Sequence, residues 1–155
     1  MHPWLAAIPM LLAGGPALAQ GQDGTPGERN AQVIAELLPG LYDNANQAYF
    51  DERLQVPAAA RPGRQRVEIE RLPGEPPRFR YRAYEDAGDE PGVERLLSVA
   101  PDGDLRLVRM TVATPAGEMA CTVLWRRDAG QFTGESDCGQ QWQLSPADLW
   151  ISDAG

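Results

Sequence analysis

From residue 66 to residue 144 apolar side chains recur at every second position, in runs separated by Pro, Gly and Asp: 66–72 (RVEIERL), 79–84 (FRYRAY), 93–99 (VERLLSV), 105–113 (LRLVRMTVA), 119–125 (MACTVLW), 131–136 (QFTGES) and 140–144 (QQWQL). A period of two buries one face of a pleated strand, so each run reads as a short strand and each break as a turn. Short strands at this spacing, with no second long helix, predict an antiparallel barrel or sandwich. In 105–113 the apolar phase slips between Leu107 and Val108, as at a β-bulge. Upstream the period changes. In 30–38 (NAQVIAELL), Val33, Ile34, Leu37 and Leu38 stand at helical spacing behind Asn30 as N-cap and before Pro39-Gly40, which predicts a short amphipathic helix. The polar stretch ahead of it has nothing to bury. A flexible tail over 20–29 and one β-rich domain over 30–155 follow from that pattern.

One hairpin is specified in detail. With Ala129-Gly130 as a two-residue loop, Asp128 faces Gln131, and the register runs back to Val123 opposite Ser136 and Trp125 opposite Gly134. It then sets Cys121 opposite Cys138. A bulge near Gly139 or a three-residue turn would shift this pairing by one position. The face carrying Cys121, Val123 and Trp125 is apolar, and the face carrying Thr122, Leu124 and Arg126 is mainly polar.

The start of the chain changes the compartment. Residues 4–19 (WLAAIPMLLAGGPALA) form an apolar stretch ending in Ala17-Leu18-Ala19, the small-x-small pattern of a signal-peptide cleavage site. A span of the bilayer needs about 20 apolar residues, and Pro9, Gly14, Gly15 and Pro16 interrupt this shorter run. The expectation is a signal peptide over 1–19, no membrane span after its removal, and a periplasmic or secreted protein. In such a compartment Cys121 and Cys138 read as a structural disulfide rather than as a catalytic thiol or a metal pair.

Composition then removes whole classes of chemistry. All 14 basic residues are arginine, and the single histidine, His2, lies within the expected signal peptide. Without Lys or His, the mature chain has no Ser-His-Asp or Cys-His activation, no Schiff-base lysine, no P-loop lysine and no histidine metal site. No metal is expected. A formal net charge of −8, with no basic run, also argues against nucleic acid as a partner.

Two segments resemble the CpcT/CpeT family of chromophore lyases. Gly40-Leu41-Tyr42-Asp43-Asn44-Ala45-Asn46-Gln47 is similar to the family's opening motif of Gly, an aromatic residue, Asn and Gln. MACTVLWRRDAGQFTGESDC is similar to its later hairpin, and LSPADLWISDAG continues the match. The family's Tyr-Arg-x-Arg strand is partly kept in GVERLLSV, where Arg95 matches the second Arg and Val93 and Glu94 replace the earlier pair. The resemblance covers roughly residues 36–154. It implies a mainly β, lipocalin-like (calycin) antiparallel barrel with a short N-terminal helix. It further implies a linear tetrapyrrole (bilin) or similar elongated apolar ligand, none of it covalently held, and an acceptor protein whose cysteine receives it.

On that resemblance the ligand-positioning residues are Asn44, Gln47, Tyr81 and Arg95, and no residue of the chain is the nucleophile. Arg95, flanked by Val93, Leu96 and Leu97, would hold a carboxylate, because a guanidinium offers it a two-pronged, always charged partner. Asn44 and Gln47, three apart on a helical turn, point the same way, although the plainer reading of these two is that they satisfy backbone groups at the barrel's closure. Arg78, Arg80 and Arg82 alternate with Phe79, Tyr81 and Ala83, which puts the guanidinium groups in solvent and the rings inside. A non-enzymatic envelope protein, with a side-chain-filled barrel and a contact surface, is the alternative to a chromophore lyase. Barrels of about eight strands either fill or hold one small ligand, so cavity volume separates the two.

Overall fold

Thr25 opens the first element of the computed structural model, which describes residues 24–61, 63–85, 88–103 and 106–153. The expected signal peptide over 1–19 lies outside these residues. Helix α1 (Pro26–Leu37) starts ahead of the expected Asn30 cap, so the last part of the tail expected over 20–29 is helical. The cause is a capping box. Thr25 Oγ1 accepts the Glu28 N–H at 3.2 Å, Glu28 Oε2 accepts the Thr25 N–H at 2.6 Å, and Pro26 occupies the first turn, where its missing N–H costs nothing. Asn30 instead donates from Nδ2 to the Arg106 carbonyl at 3.3 Å. At the other end the Tyr42 hydroxyl lies 2.9 Å from the Leu37 carbonyl and 3.1 Å from that of Leu38, so it closes the helix terminus.

Nine strands follow: β1 (Gly40–Asp43), β2 (Gln65–Leu72), β3 (Arg78–Glu85), β4 (Val93–Pro101), β5 (Val108–Ala113), β6 (Met119–Asp128), β7 (Gln131–Ser136), β8 (Gln140–Leu144) and β9 (Leu149–Asp153). Each pairs antiparallel with the next, in an uninterrupted meander. The fold is therefore mainly β, a nearly closed lipocalin-like barrel with a short N-terminal helix. The seven strands read from the alternation are β2 to β8. The two strands that the alternation leaves out, β1 and β9, are the sheet's first and last. A second helix, α2 (Ala45–Arg53), and a 3-10 turn (Ala58–Ala60) join β1 to β2. The bulge stands elsewhere than expected. Leu107 precedes β5, and the register shifts at its far end, where Val112 faces Cys121 but Ala113 faces Met119, leaving Ala120 as the extra residue.

The β6–β7 hairpin has the register read from the sequence: Asp128 faces Gln131, Trp125 faces Gly134 and Val123 faces Ser136. Ala129 and Gly130 both take positive φ, 44° and 87°, as a two-residue turn between right-twisted strands demands. Beyond the ladder the Asp137 N–H reaches the Thr122 carbonyl at 3.1 Å, and Cys121 and Cys138 are bonded with their Cα atoms 5.6 Å apart.

Inside the barrel, Phe79, Val99, Val108, Met110, Val123, Trp125, Phe132 and Leu144 are fully buried, and Ile34 and Leu38 of α1 join them. Helix α1 packs on β4 and β5. Outside, Arg80 meets Glu70 at 3.5 Å and Glu94 at 3.7 Å, while Arg82 meets Glu68 at 3.4 Å and Glu70 at 3.7 Å. These pairs are solvated and contribute at most about 1 kcal/mol each. They put the Arg80 and Arg82 guanidinium groups outward and the Phe79 and Tyr81 rings inward, as the alternation implied, while Tyr84 lies on the guanidinium face with its hydroxyl donating to Glu68 at 3.0 Å.

Candidate functional site

The barrel interior is not uniformly filled. Cross-strand pairing sets Tyr81 beside Arg95 and Phe79 beside Leu97, then Leu97 beside Val112 and Val112 beside Cys121. Along that diagonal a cavity of about 430 Å³ opens, walled by Tyr81, Arg95, Leu97, Val112, Gln140 and Trp142 among others. Both disulfide sulphurs belong to residues of the same wall. Val93, Ala120 and Cys138, which also line it, are exposed and mark its mouth. A cavity of this size falls in the range of about 300 to 1,000 Å³ that small-molecule sites occupy.

Two aromatic rings, Tyr81 and Trp142, line it, and Trp142 rests on the buried Trp125 behind. Gly134 pairs with Trp125 on one side and Trp142 on the other, and because it has no side chain the two indoles meet edge to face, 6.1 Å apart. A Cβ at Gly134 would lie 2.6 Å from Val123 Cγ1 and 3.0 Å from the Trp125 ring. Trp142 in turn lies 6.3 Å from the Tyr81 ring, which carries the row from β8 to β3. Trp142, Leu97 and Val112 belong to both the packed core and the cavity wall, whereas Trp125 belongs to the core alone.

Among the described residues, Arg95 is the only charged one that lines the cavity. Its Nη1 donates to the Glu94 carbonyl at 2.8 Å, and among the described residues no carboxylate pairs with it. Burial pushes the Tyr81 phenol above its ordinary range, and the Arg95 charge opposes that shift only in part. Tyr81 therefore faces the cavity as a neutral hydroxyl near a permanent cation. This pair can donate hydrogen bonds to an anionic or carbonyl oxygen.

Of the four residues read as ligand-positioning, the structure brings Tyr81 and Arg95 together and leaves Asn44 and Gln47 apart from them. Asn44 clamps the chain entering β2. Its Nδ2 donates to the Gly63 carbonyl and its Oδ1 accepts the Gln65 N–H, both at 2.8 Å. Gln47 donates to Asp51 Oδ1 at 2.8 Å, one turn along α2. Neither residue lines the cavity. Trp142 and Gln140 do line it and were not singled out, although the alternation of 140–144 already places them on one face. Cys121, Asp137 and Cys138 bring metal-type donor atoms within 4.8 Å of one another. Both sulphurs are committed to their bond, and Asp137 Oδ1 accepts the Thr122 N–H at 2.8 Å, so the group braces the hairpin end.

Comparison with solved structures adds one relation. The chain is similar to the T-type phycobiliprotein lyase CpeT from Prochlorococcus phage P-HM1, with a TM-score of 0.57 and 17% identity. The match covers 79% of this chain and 87% of that one. The relation is one of fold. No family profile and no curated protein matches the chain. Among the described residues no helix is long and apolar enough to cross a membrane.

Proposed function

We propose that this chain is a ligand-binding barrel of the chromophore-lyase type, which holds an elongated apolar molecule bearing a carboxylate, a linear tetrapyrrole being the candidate. The observation that carries the reading is the cavity with a single cation, one amide (Gln140) and an otherwise largely apolar and aromatic wall. Arg95 anchors the carboxylate through two parallel hydrogen bonds, and Tyr81 donates to a second oxygen of the ligand. Trp142 and Tyr81 stack against its conjugated body.

If the ligand passes to an acceptor protein, the attacking thiol belongs to that protein, since the two cysteines of this chain are bonded to each other. The barrel contributes orientation and shielding from water. The disulfide is compatible with export to an oxidising compartment, the periplasm or beyond.

Titration of the mature protein with biliverdin and with haem, followed by absorbance, tests the reading. Wild type should shift the ligand's spectrum. Arg95→Ala, and Arg95→Lys, which keeps the charge but loses the fork, should weaken binding by about 1.5 to 3 kcal/mol. Equal affinity for all three proteins removes Arg95 from the site. No spectral shift with either ligand would favour the envelope protein that works through surface contacts.

A further inference from the structure

Helix α2 is turned inside out. Its partly or fully covered positions are Asn44 at the cap, Ala45, Ala48 and Asp51, which are small or polar. Its large apolar side chains face solvent: Tyr49 is 54% exposed, Phe50 59% and Leu54 75%. Leu41, on β1 just ahead of the helix, is 66% exposed. The exposed apolar character continues through Pro57 and the 3-10 turn Ala58–Ala60. A surface helix normally buries its apolar stripe, and a cluster of exposed apolar groups with a polar rim marks an interaction site.

The rim is mainly basic, with the exposed carboxylates of Asp43 and Glu52 outnumbered by arginines. Residues 53–67 hold four arginines and no carboxylate, in a chain whose formal net charge is −8. Arg53, Arg61 and Arg64 are exposed, and among the described residues none of them forms an ion pair. Arg53 lies 5.8 Å over the Tyr49 ring and donates to its hydroxyl at 3.3 Å, so cation and ring are held at one level. The Tyr49 and Phe50 rings meet edge to face at 5.6 Å.

From this arrangement we infer that the α2 face docks on an anionic lipid surface. Rings and leucine would enter the acyl boundary while Arg53, Arg61 and Arg64 lie among the headgroup phosphates. Two observations favour a lipid surface over a protein groove. The apolar side chains protrude from a convex helix, which a fluid surface accepts without a matching concavity, and the basic rim complements negative headgroups while the acidic remainder is repelled by them. Repulsion orients the molecule with α2 toward the lipid. This inference is independent of what the cavity holds.

The test is co-sedimentation of the mature chain, beginning at Gln20, with vesicles of phosphatidylglycerol and phosphatidylethanolamine, beside vesicles of phosphatidylcholine alone. Binding is expected to the anionic vesicles, weakening with salt. Replacing Arg53, Arg61 and Arg64 together by Gln should lower it by about a hundredfold. The double variant Phe50→Ser, Leu54→Ser should lower it by about tenfold or more. All these positions are exposed, and circular dichroism confirms that each variant is folded. A separate Phe50→Trp protein gives a gain of signal, a blue-shifted emission on anionic vesicles only. Absence of binding, binding unchanged in the variants, or an unshifted Phe50→Trp emission overturns the inference. So does concentration-dependent self-association that the Phe50→Ser, Leu54→Ser protein loses, without vesicle binding, which would assign the face to a second copy of the chain.

Discussion

At the scale of single residues, Gly134 decides more than its size suggests. Trp125 is fully buried and lies over the strand position that lacks a side chain, and Trp142 meets it there from the other side. Gly134→Ala forces a methyl group against Val123 and the Trp125 ring. Overpacking of this kind costs about 1 to 3 kcal/mol. Trp125→Ala leaves a large void instead and should cost about 3 to 5 kcal/mol. Urea denaturation of the two variants measures both, and a loss under about 1 kcal/mol for Trp125→Ala would contradict this packing. Because Trp142 is also a cavity wall, the Gly134→Ala protein should in addition bind any cavity ligand more weakly.

At the scale of elements, the β6–β7 hairpin joins stability to the site. The bond between Cys121 and Cys138 closes a loop of 17 positions and ties the start of β8 to β6. On the chain-entropy model such a loop contributes about 3 kcal/mol, so reduction should lower the melting temperature by several degrees. Thiol titration of the native protein checks the premise, because two free thiols would remove it. This hairpin was legible in the sequence because its loop, its register and its pattern agree. The strands β2 to β8 were legible for the same reason. Strand β1 was hidden because Gly40–Asp43 is only four residues long, too short to show a period. Helix α2 was hidden because its apolar groups face outward, so the alternation that normally marks a buried face is absent. The cap of α1 was legible in Thr25 and Glu28 but masked by Gly27 between them. The charged half of the cavity was visible in Arg95 and Tyr81. The packing of the wall residue Trp142 on Trp125 was not, because Gly134 brings the two indoles together from strands on either side of β7.

At the scale of the whole molecule, two half-buried phenols set a pH limit. Burial raises Tyr81, and burial followed by the nearby Asp148 carboxylate raises Tyr42, so both keep their protons in the folded chain where an unfolded chain would lose them. Their contribution is complete below the ordinary tyrosine value of about 10 and is lost as pH rises through their folded values. The melting temperature should therefore fall as pH rises above about 10, and less steeply in Tyr81→Phe. An equal slope in that variant would exclude Tyr81 as a contributor.

The side chains that hold the barrel together and those that line its cavity are also largely different. Of the largest fully buried side chains among the described residues, only Leu97 lines the cavity; the others, from Trp125 to Val123, do not. Substitutions around Val93, Ala120, Gln140 and Ile151 can thus reshape what the barrel accepts while the residues that keep it folded stay untouched. In a barrel built this way the wall can change while the core stays the same, which makes likeness of fold a poor guide to what, if anything, the cavity holds.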